Sequence, residues 1–301
     1  MKISGEVSNA IKNNKPVVAL ESTIIAHGLP RPDNFKIALE IEQVVKDAGA
    51  VAATIAILNG EICVGLDSEQ LKQVANDENI LKLGIRDIAH CVSRKTSGAT
   101  TVASTAWIAH QCGISTFATG GLGGVHKGSI ETFDESGDIT ALAQIPIVVV
   151  ASGVKSILDV GATLERLETW HVPVYGWKTF DFPGFWITDS GFDVSEKVET
   201  PEEVASIYKF RKANNFKESV LIAQPINKLD QFDPVLEKSI LDKGLQMAKE
   251  QSITGKEVTP FLLGLMHKES QGQSLKANVA LVKSNAHLAA QIAVAISRSC
   301  L

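Results

Sequence analysis

The segment PIVVVASGVKSILD, residues 146–159, carries the main signal for the fold. Its β-branched run at 147–150 is typical of a strand that is buried on both faces of a sheet. Small residues at 151–153 interrupt the run, and the apolar spacing at 157–160 then predicts the start of a helix. A strand, a tight turn and a helix in this order place Lys155 at the carboxyl end of a sheet, where open α/β proteins bind their ligands.

Two interpretations of Lys155 follow from this position. A lysine that lies partly out of water, near the positive end of a helix dipole, is disfavoured in its ammonium form. Its free amine could then act as a nucleophile towards a carbonyl-like carbon. The alternative is a lysine that caps a surface turn, and the segment alone leaves both interpretations open.

The composition limits the class of protein. With 45% hydrophobic residues, the 301-residue chain can bury a large core. Its formal net charge is −5 and its basic residues are scattered, so we expect no nucleic-acid partner. The N-terminus lacks an apolar signal segment and no run of about 18 apolar residues occurs, which predicts a cytoplasmic protein without a membrane partner. The four cysteines share no metal-ligand spacing, and Cys63, Cys91 and Cys112 are expected to be reduced core residues.

Two charged residues accompany apolar strands. Glu21 follows the apolar run at 16–20, which puts a carboxylate at a strand end, where it is either paired structurally or kept for acid/base chemistry. Lys82 lies within the apolar run at 80–87 and needs a partner, either from the protein or from an anionic ligand. A structural ion pair with Asp87 is the alternative for Lys82.

A stretch rich in small and hydroxyl residues, 97–105, predicts the start of a helix whose N–H groups and hydroxyls can hold a phosphate. Thr100, Thr101 and the nearby His126 would be donors. A close-packed helix that uses small residues to approach the sheet explains the same stretch equally well. The glycines at 120–124 let the backbone approach a ligand, but no amphipathic helix and no acidic strand end follow them, so a dinucleotide site is not expected.

The remaining chain alternates strand and helix patterns without a repeat or a linker. We therefore predict one α/β domain over residues 1–301, with a largely parallel central sheet flanked by helices in α/β/α layers. The acidic loop at 132–138 could hold a hard cation or bind ribose hydroxyls, although acidic loops more often simply face solvent.

Five spaced stretches are more specific together than any of them alone. They are VVALESTIIAHGLPRP from residue 17, SGATTVASTAW from 97, FATGGLGGVHKG from 117, TFDESGD from 132 and ASGVKSILD from 151. In this order they resemble the pseudouridine-5′-phosphate glycosidases. TPFLL at 259–263 and SLKANVALVKSNA at 274–286 extend the resemblance almost to the C-terminus.

The resemblance implies that a homotrimer reversibly cleaves the carbon–carbon glycosidic bond of pseudouridine 5′-phosphate, yielding uracil and ribose 5-phosphate. It implies that Glu21 is the proton donor, Lys155 the covalent nucleophile and Asn278 a polar active-site residue. A divalent manganese ion, bound by Asp134, is the implied cofactor. The implied substrate contacts are Lys82, Val102, Ser136, Gly137 and Asp138.

A base that is attached through carbon sets a special chemical demand, because a site with two carboxylates would not suffice to release it. The hypothesis is that Glu21 protonates the ribose ring oxygen, the furanose opens and the Lys155 amine adds at C1′. Cleavage would then leave an iminium on Lys155. The competing hypotheses are a Schiff-base aldolase or lyase acting on another sugar phosphate, and a regulator that binds a sugar phosphate without turnover.

Overall fold

The structure, a computed structural model, describes residues 1–253 and 258–298. The strands in this part of the chain are β1 (Lys2–Ile3), β2 (Val17–Leu20), β3 (Val51–Leu58), β4 (Glu61–Val64), β5 (Leu81–Leu83), β6 (Gly98–Thr100), β7 (Thr116–Ala118), β8 (Val125–His126), β9 (Val148–Ala151), β10 (Leu158–Asp159), β11 (Val174–Trp177), β12 (Glu196–Val198) and β13 (Val220–Ala223). The helices are α1 (Gly5–Lys12), α2 (Asp33–Asp47), α3 (Ser68–Asn76), α4 (Ile88–Ser93), α5 (Val102–Gln111), α6 (Ser129–Thr132), α7 (Gly137–Leu142), α8 (Val160–Thr169), α9 (Pro201–Ala213), α10 (Pro234–Glu250), α11 (Val258–Glu269) and α12 (Gln273–Arg298).

A large, mostly parallel sheet forms the centre of the molecule, with the strand order β1-β4-β3-β2-β7-β9-β13-β11-β12. Strands β5 and β6 pair with each other and join the sheet through β3. Antiparallel pairing within this sheet is confined, in the described residues, to β3 with β4 and β3 with β6. The predicted α/β class and the largely parallel sheet are therefore confirmed.

Helices cover both faces of the sheet, which explains why the strands are apolar throughout rather than alternating. Val18 and Leu20 of β2 belong to a core cluster shared with α2, α9 and α12. Val17 and Ala19 of the same strand point the other way, into a cluster shared with α1, α5 and α8. Successive residues of a buried strand therefore serve two cores.

The turn at Asn59 and Gly60 joins β3 and β4, and the Asn-Gly pair is typical of a hairpin turn of the primed type. Both residues have positive φ, 51° and 81°, which such turns require. The helix that follows begins at Ser68, but Asp67 caps it instead of Ser68. The Asp67 carboxylate accepts from the Gln70 N–H at 2.9 Å, and the Gln70 side chain accepts from the Asp67 N–H at 3.0 Å. This reciprocal pair satisfies two backbone donors at once, which a cap at Ser68 could not do because Leu71 stands three residues after it.

The segment around Lys155 differs from its prediction in one respect. Helix α8 begins at Val160 rather than directly after the turn, so Lys155 lies in a loop between β9 and the short strand β10. The reason is the cap: the Asp159 carboxylate accepts from the Ala162 N–H at 3.0 Å and fixes the first turn of the helix there. Strand β10 pairs with β8 and holds the end of the loop.

Helix α12 is long and apolar enough to cross a membrane by length and composition, but 61% of its apolar window is buried inside the molecule. It packs against β2, β7 and β9 as a core helix. The side-chain amide of Asn285 on this helix donates to the carbonyl of Thr119 at 2.8 Å and to the hydroxyl of Ser152 at 3.1 Å. These bonds attach α12 to the residues that directly follow β7 and β9.

The cysteines agree largely with the prediction. Cys63 and Cys91 are free and buried, whereas Cys112 is free but only partly buried. Cys300 lies outside the described residues.

Candidate active site

A cavity that is partly open to solvent, with about 510 Å³ of empty space including that open part, lies at the carboxyl ends of β2, β7 and β9, which are neighbours in the sheet. Glu21 directly follows β2, Gly120 and Gly121 follow β7, and Lys155 lies in the loop after β9. Asn278, on the overlying helix α12, lines the same cavity. Because the strands are parallel, their ends meet at one edge of the sheet, and residues distant in the chain share one cavity.

Glu21 is almost completely buried, with 7% of its surface exposed. The hydroxyl of Thr119, the residue after β7, donates a close hydrogen bond to Glu21 Oε1. Burial raises the pKa of the Glu21 carboxyl above its ordinary value, while the charge of Lys155 and the Thr119 hydrogen bond oppose this rise. The balance favours the protonated carboxyl, which is the form that a general acid needs.

A second, smaller cavity of about 340 Å³ explains why Glu21 is so poorly solvated. It lies beside the active-site cavity and shares Glu21 and Ile24 with it. Most of its other walls are aliphatic, including Ile41, Ala118 and Val282. Apolar walls disfavour the ionised form of a carboxyl group, so the packing behind Glu21 sets its acidity.

Lys155 is partly buried and its backbone is fixed on both sides. Its N–H donates to the carbonyl of Leu122 at 3.1 Å, and its own carbonyl accepts from the Leu158 N–H at 2.9 Å. The first bond ties the loop to the segment after β7, so Lys155 and Glu21 are positioned by the same group of strands. This arrangement gives the amine a defined starting point for attack on a ligand in the cavity.

Lys82 and His27 form another part of the cavity wall. Burial lowers the pKa of the His27 imidazole, and the charges of Lys82 and Arg31 lower it further. A hydrogen bond with the backbone of Leu81 opposes this lowering but does not reverse it, so His27 is neutral near pH 7. Asp87, the alternative structural partner of Lys82, accepts from the Gly84 N–H at 2.9 Å and lies 3.8 Å from the Arg86 guanidinium.

His27 carries no functional signal in the sequence pattern itself. Its position in the loop directly after Glu21 was the only available signal, and the short π-helical turn Ile24–Gly28 directs that loop to the cavity. Such turns are frequent at functional sites but have no clear sequence signature.

Asn278 lines the cavity with an unused acceptor. The residue is 7% exposed, and among the described residues its Oδ1 atom has no hydrogen-bond partner. Leaving a buried acceptor unpaired costs about 1–3 kcal/mol. A donor on a bound ligand would remove this cost, so Asn278 is arranged for binding rather than for folding.

In the hydroxyl-rich stretch 97–105, the contacts of Thr100 support the interpretation that the small residues serve close packing against the sheet. Its side chain is fully buried, and its hydroxyl donates to the carbonyl of Ile55 at 2.7 Å. The expectation that Thr100 donates to a phosphate is therefore wrong for its side chain, because the hydroxyl is committed to β3. The Thr101 hydroxyl lies 3.3 Å from that of Ser104, and the Val102 side chain is buried in the core.

Asp138 links this helix start to the glycine-rich loop. Its carboxylate accepts from the Ala103 N–H at 3.0 Å and from the Gly123 N–H at 2.8 Å. Ser136 caps α7 by accepting from the Asp138 N–H at 3.2 Å, and Gly137 is the first residue of that helix. These residues brace the site from outside the cavity wall, and the Asp138 charge contributes to the raised pKa of Glu21.

His126 and Asp134 face each other beside the cavity, with 3.9 Å between His126 Nδ1 and Asp134 Oδ2. Burial lowers the pKa of His126, and the charges of Lys82 and Lys155 lower it further. The charge of Asp134 opposes this lowering. In residues 1–253 and 258–298, no group of three or more His, Cys, Asp or Glu side chains could hold a metal ion. The partly exposed Asp134 carboxylate fits a hard divalent ion held mainly by water and ligand oxygens.

Comparison with known proteins gives a full-length match. The family model described as indigoidine synthase A like protein matches residues 6–295. A pseudouridine-5′-phosphate glycosidase from Streptomyces griseus is 51% identical over 294 residues, which cover 97% of this chain and 91% of that protein. The protein of the same name from Salinispora tropica is 50% identical over 291 residues, covering 96% of this chain and 90% of that protein.

Two solved structures share the fold. The prealnumycin C-glycosynthase AlnA, in complex with ribulose 5-phosphate, has a TM-score of 0.92 at 33% identity and covers 99% of this chain and 97% of its own. An indigoidine synthase A-like protein from Thermotoga maritima has a TM-score of 0.88 at 37% identity, covering 95% of this chain and 94% of its own.

Replacing Glu21 by Gln should change the pH dependence of stability. Because the folded pKa of Glu21 lies above its ordinary 4.5, its contribution to stability is present below pH 4.5 and is lost as pH rises through the raised value. We expect Glu21→Gln to become more stable relative to the wild type over that range, measured by urea unfolding at a series of pH values.

Glu40→Gln is the matched control, because the hydrogen bond from Lys283 lowers the pKa of Glu40. For this pair, the wild type should become more stable than Glu40→Gln as the pH rises through the lowered pKa of Glu40. Parallel curves for Glu21→Gln and the wild type would show that Glu21 titrates normally.

Proposed function

This chain belongs to the indigoidine synthase A-like family and, within it, to the pseudouridine-5′-phosphate glycosidases, and we propose that it works through a covalent intermediate on Lys155. The reaction cleaves the carbon–carbon bond of pseudouridine 5′-phosphate to give uracil and ribose 5-phosphate, and it is reversible. The observation that carries the proposal is one cavity holding both a buried carboxyl, Glu21, and the amine of Lys155.

The first step opens the sugar. The protonated Glu21 carboxyl donates its proton to the ring oxygen O4′, and the C1′–O4′ bond breaks with its electron pair going to that oxygen. The base delocalises the positive charge that develops at C1′. The amine of Lys155 then adds to C1′ and forms the covalent bond.

The second step releases the base. The Glu21 carboxylate takes the proton that the attacking amine loses, and it returns this proton to the ring carbon of uracil. The C1′–C5 bond breaks with its electron pair going to the base, while the nitrogen lone pair of Lys155 forms an iminium with C1′. Water then adds to the iminium and frees ribose 5-phosphate. Alternating between the two forms is feasible for Glu21 because burial favours its protonated form while Lys155 and Thr119 favour its ionised form.

The polar part of the cavity is suited to the sugar phosphate. Lys82 supplies a positive charge for the phosphate dianion, and the neutral His27 lies beside it in the cavity wall. We also propose His126, Thr101 and the backbone N–H groups at the start of α5 as contacts of the phosphate. Ser136, Gly137 and Asp138 hold that region in place.

We assign Asp134 as the protein ligand of a divalent ion, Mn²⁺ being the expected one. Such an ion, when bound, supplies positive charge and ordered water next to the phosphate and the sugar hydroxyls. His126, 3.9 Å from the Asp134 carboxylate, would help to orient it. The chain's own residues perform the bond-breaking steps.

We also propose that the chain acts in the cytoplasm. Its described cysteines are free, as expected in a reducing compartment. A phosphorylated nucleotide substrate would be found in the same compartment.

The covalent role of Lys155 can be tested by reduction with borohydride. Incubation with ribose 5-phosphate and borohydride should add a reduced ribose phosphate to Lys155, located by peptide mass spectrometry. Lys155→Arg keeps the charge but should show no adduct and should lose roughly 10³-fold or more in kcat, because a guanidinium does not form the iminium. Lys82→Met should raise KM, but at a high concentration of ribose 5-phosphate it should still form the adduct on Lys155. An adduct on another lysine would contradict the assignment.

Asp134→Asn should weaken Mn²⁺ binding by roughly tenfold or more, since it removes the carboxylate charge. Electron paramagnetic resonance of free Mn²⁺ measures this binding without an activity assay. Glu135→Gln is the control, because the Glu135 carboxylate already pairs closely with Arg166. Equal affinities in wild type and Asp134→Asn would exclude Asp134 as a ligand.

A homotrimer is the proposed assembly. Ile130 and Phe133, next to Asp134 in the chain, are 92% and 84% exposed, and such neighbouring large apolar side chains are typical of interaction sites. Sedimentation equilibrium should give three times the chain mass of 32.2 kDa. Ile130→Asp should shift the distribution to lighter species, and a single-chain mass for the wild type would refute the proposal.

A further inference from the structure

Thr119 contacts Glu21 from the side of the smaller cavity, away from the active-site cavity. Both residues line the smaller, mostly aliphatic cavity, whereas of the two only Glu21 lines the larger one. Thr119 is 1% exposed, and its hydroxyl donates the close hydrogen bond to Oε1 of Glu21. In residues 1–253 and 258–298, this is the one hydrogen bond that the Glu21 side chain makes. The Oε2 atom is therefore the oxygen of this carboxyl that is left for a ligand.

The backbone of Thr119 is fixed by two different elements of the fold. Its N–H donates to the carbonyl of Val150 in β9 at 3.0 Å. Its carbonyl accepts from the side-chain amide of Asn285 on α12 at 2.8 Å. Because the peptide groups on both sides of Thr119 are held, its hydroxyl has a defined position and can fix the rotation of the Glu21 carboxyl.

The two possible positions of the acidic proton on Glu21 are not equivalent. With the proton on Oε2, the Thr119 hydroxyl donates to Oε1 and its own hydrogen is paired. With the proton on Oε1, that proton would lie between the two oxygens, and the hydrogen of Thr119 would need another acceptor. Within the described part of the chain, the Thr119 hydroxyl has no hydrogen-bond partner other than Glu21. A buried donor without an acceptor is costly, so the proton is favoured on Oε2.

We propose that Thr119 is a positioning residue: by occupying Oε1, it keeps the acidic proton of Glu21 on Oε2, the oxygen that faces the substrate. This inference rests on the proposed function, in which Glu21 protonates the ring oxygen O4′. The proton on Oε2 passes to O4′ as the C1′–O4′ bond breaks, and Oε2 then takes the proton that the Lys155 amine loses. The same Thr119 bond stabilises the carboxylate in its ionised form, so one contact serves both forms of the acid.

Infrared spectroscopy of the full chain locates the proton without any substrate. The C=O stretch of a protonated carboxyl falls in wavenumber when its carbonyl oxygen accepts a hydrogen bond. At a pH where Glu21 is protonated, its band is identified by its loss in Glu21→Gln. We expect this band at higher wavenumber in Thr119→Val, which removes the donor, and at the wild-type position in Thr119→Ser, which keeps it.

Thr54→Val is the matched control for the loss of a buried hydroxyl. Thr54 lines the same smaller cavity, but its hydroxyl donates to a different carboxylate, that of Glu42, at 2.5 Å. Burial raises the pKa of Glu42 as it does that of Glu21, so the two pairs are similar in kind. Thr54→Val should leave the Glu21 band at its wild-type position.

The pH dependence of kcat/KM gives a second readout. Because the acid must be protonated, kcat/KM falls as the pH rises through the pKa of Glu21. Thr119→Val removes a bond that lowers this pKa, so the fall should move to higher pH. The variant should also lose roughly tenfold or more in kcat, because the acid is no longer oriented. The other charges that act on this carboxyl, those of Lys155, Asp138 and Lys82, are the same in both variants, and Thr119→Ser should restore the wild-type profile.

An unchanged Glu21 band in Thr119→Val would overturn the proposal, and so would an unchanged pH profile. Should Thr119→Val fail to fold, the wild-type band decides, because it must lie below that of a dilute carboxylic acid monomer in an apolar solvent. A wild-type band at the position of the free acid would contradict the proposal. Borohydride labelling of Lys155 with ribose 5-phosphate reports on the proposed function separately, since the infrared spectra are recorded without substrate.

Discussion

Parallel pairing of β2, β7 and β9 is the constraint on which the site depends. Because these strands run in the same direction, the chain leaves all of them at one edge, with Glu21 after β2, Thr119 after β7 and Lys155 in the loop after β9. The edge is closed by α12, whose Asn285 bonds to the residues that follow β7 and β9. A residue near the C-terminus thus fixes the spacing between loops that originate far apart in the chain.

The site contains several features that oppose folding. Glu21 is buried although it can ionise, Asn278 has an unpaired acceptor, and Phe185 has positive φ. Each is costly in the free protein, and all three residues line the same cavity. The large cores on both sides of the sheet supply the stability that makes such a cavity tolerable.

A carbon-linked base explains why an amine and a carboxyl are combined. Cleaving this bond sends its electron pair to the base and leaves the sugar carbon short of electrons, and the lone pair of a lysine nitrogen would stabilise that carbon as an iminium, which two carboxylates would not do. The likeness to a C-glycosynthase, AlnA, solved with ribulose 5-phosphate, is consistent with a fold that handles this bond in either direction. The reversible reaction proposed for this chain needs the same amine and acid in both directions.

The sequence by itself determined the α/β class, the buried strands and the positions of Glu21 and Lys155 at strand ends, because strand periodicity and turn residues act locally. It did not determine which hydroxyl groups of the stretch 97–105 are available to bind a ligand. Thr100 is committed to the carbonyl of Ile55, a partner that pairing of β3 with β6 brings close. Likewise, only the tertiary structure brought the Thr119 hydroxyl to Glu21, since the strands that precede them, β7 and β2, are distant in the chain and meet only in the sheet. Burial and long-range contacts decide such matters, and they exist only once the sheet has assembled.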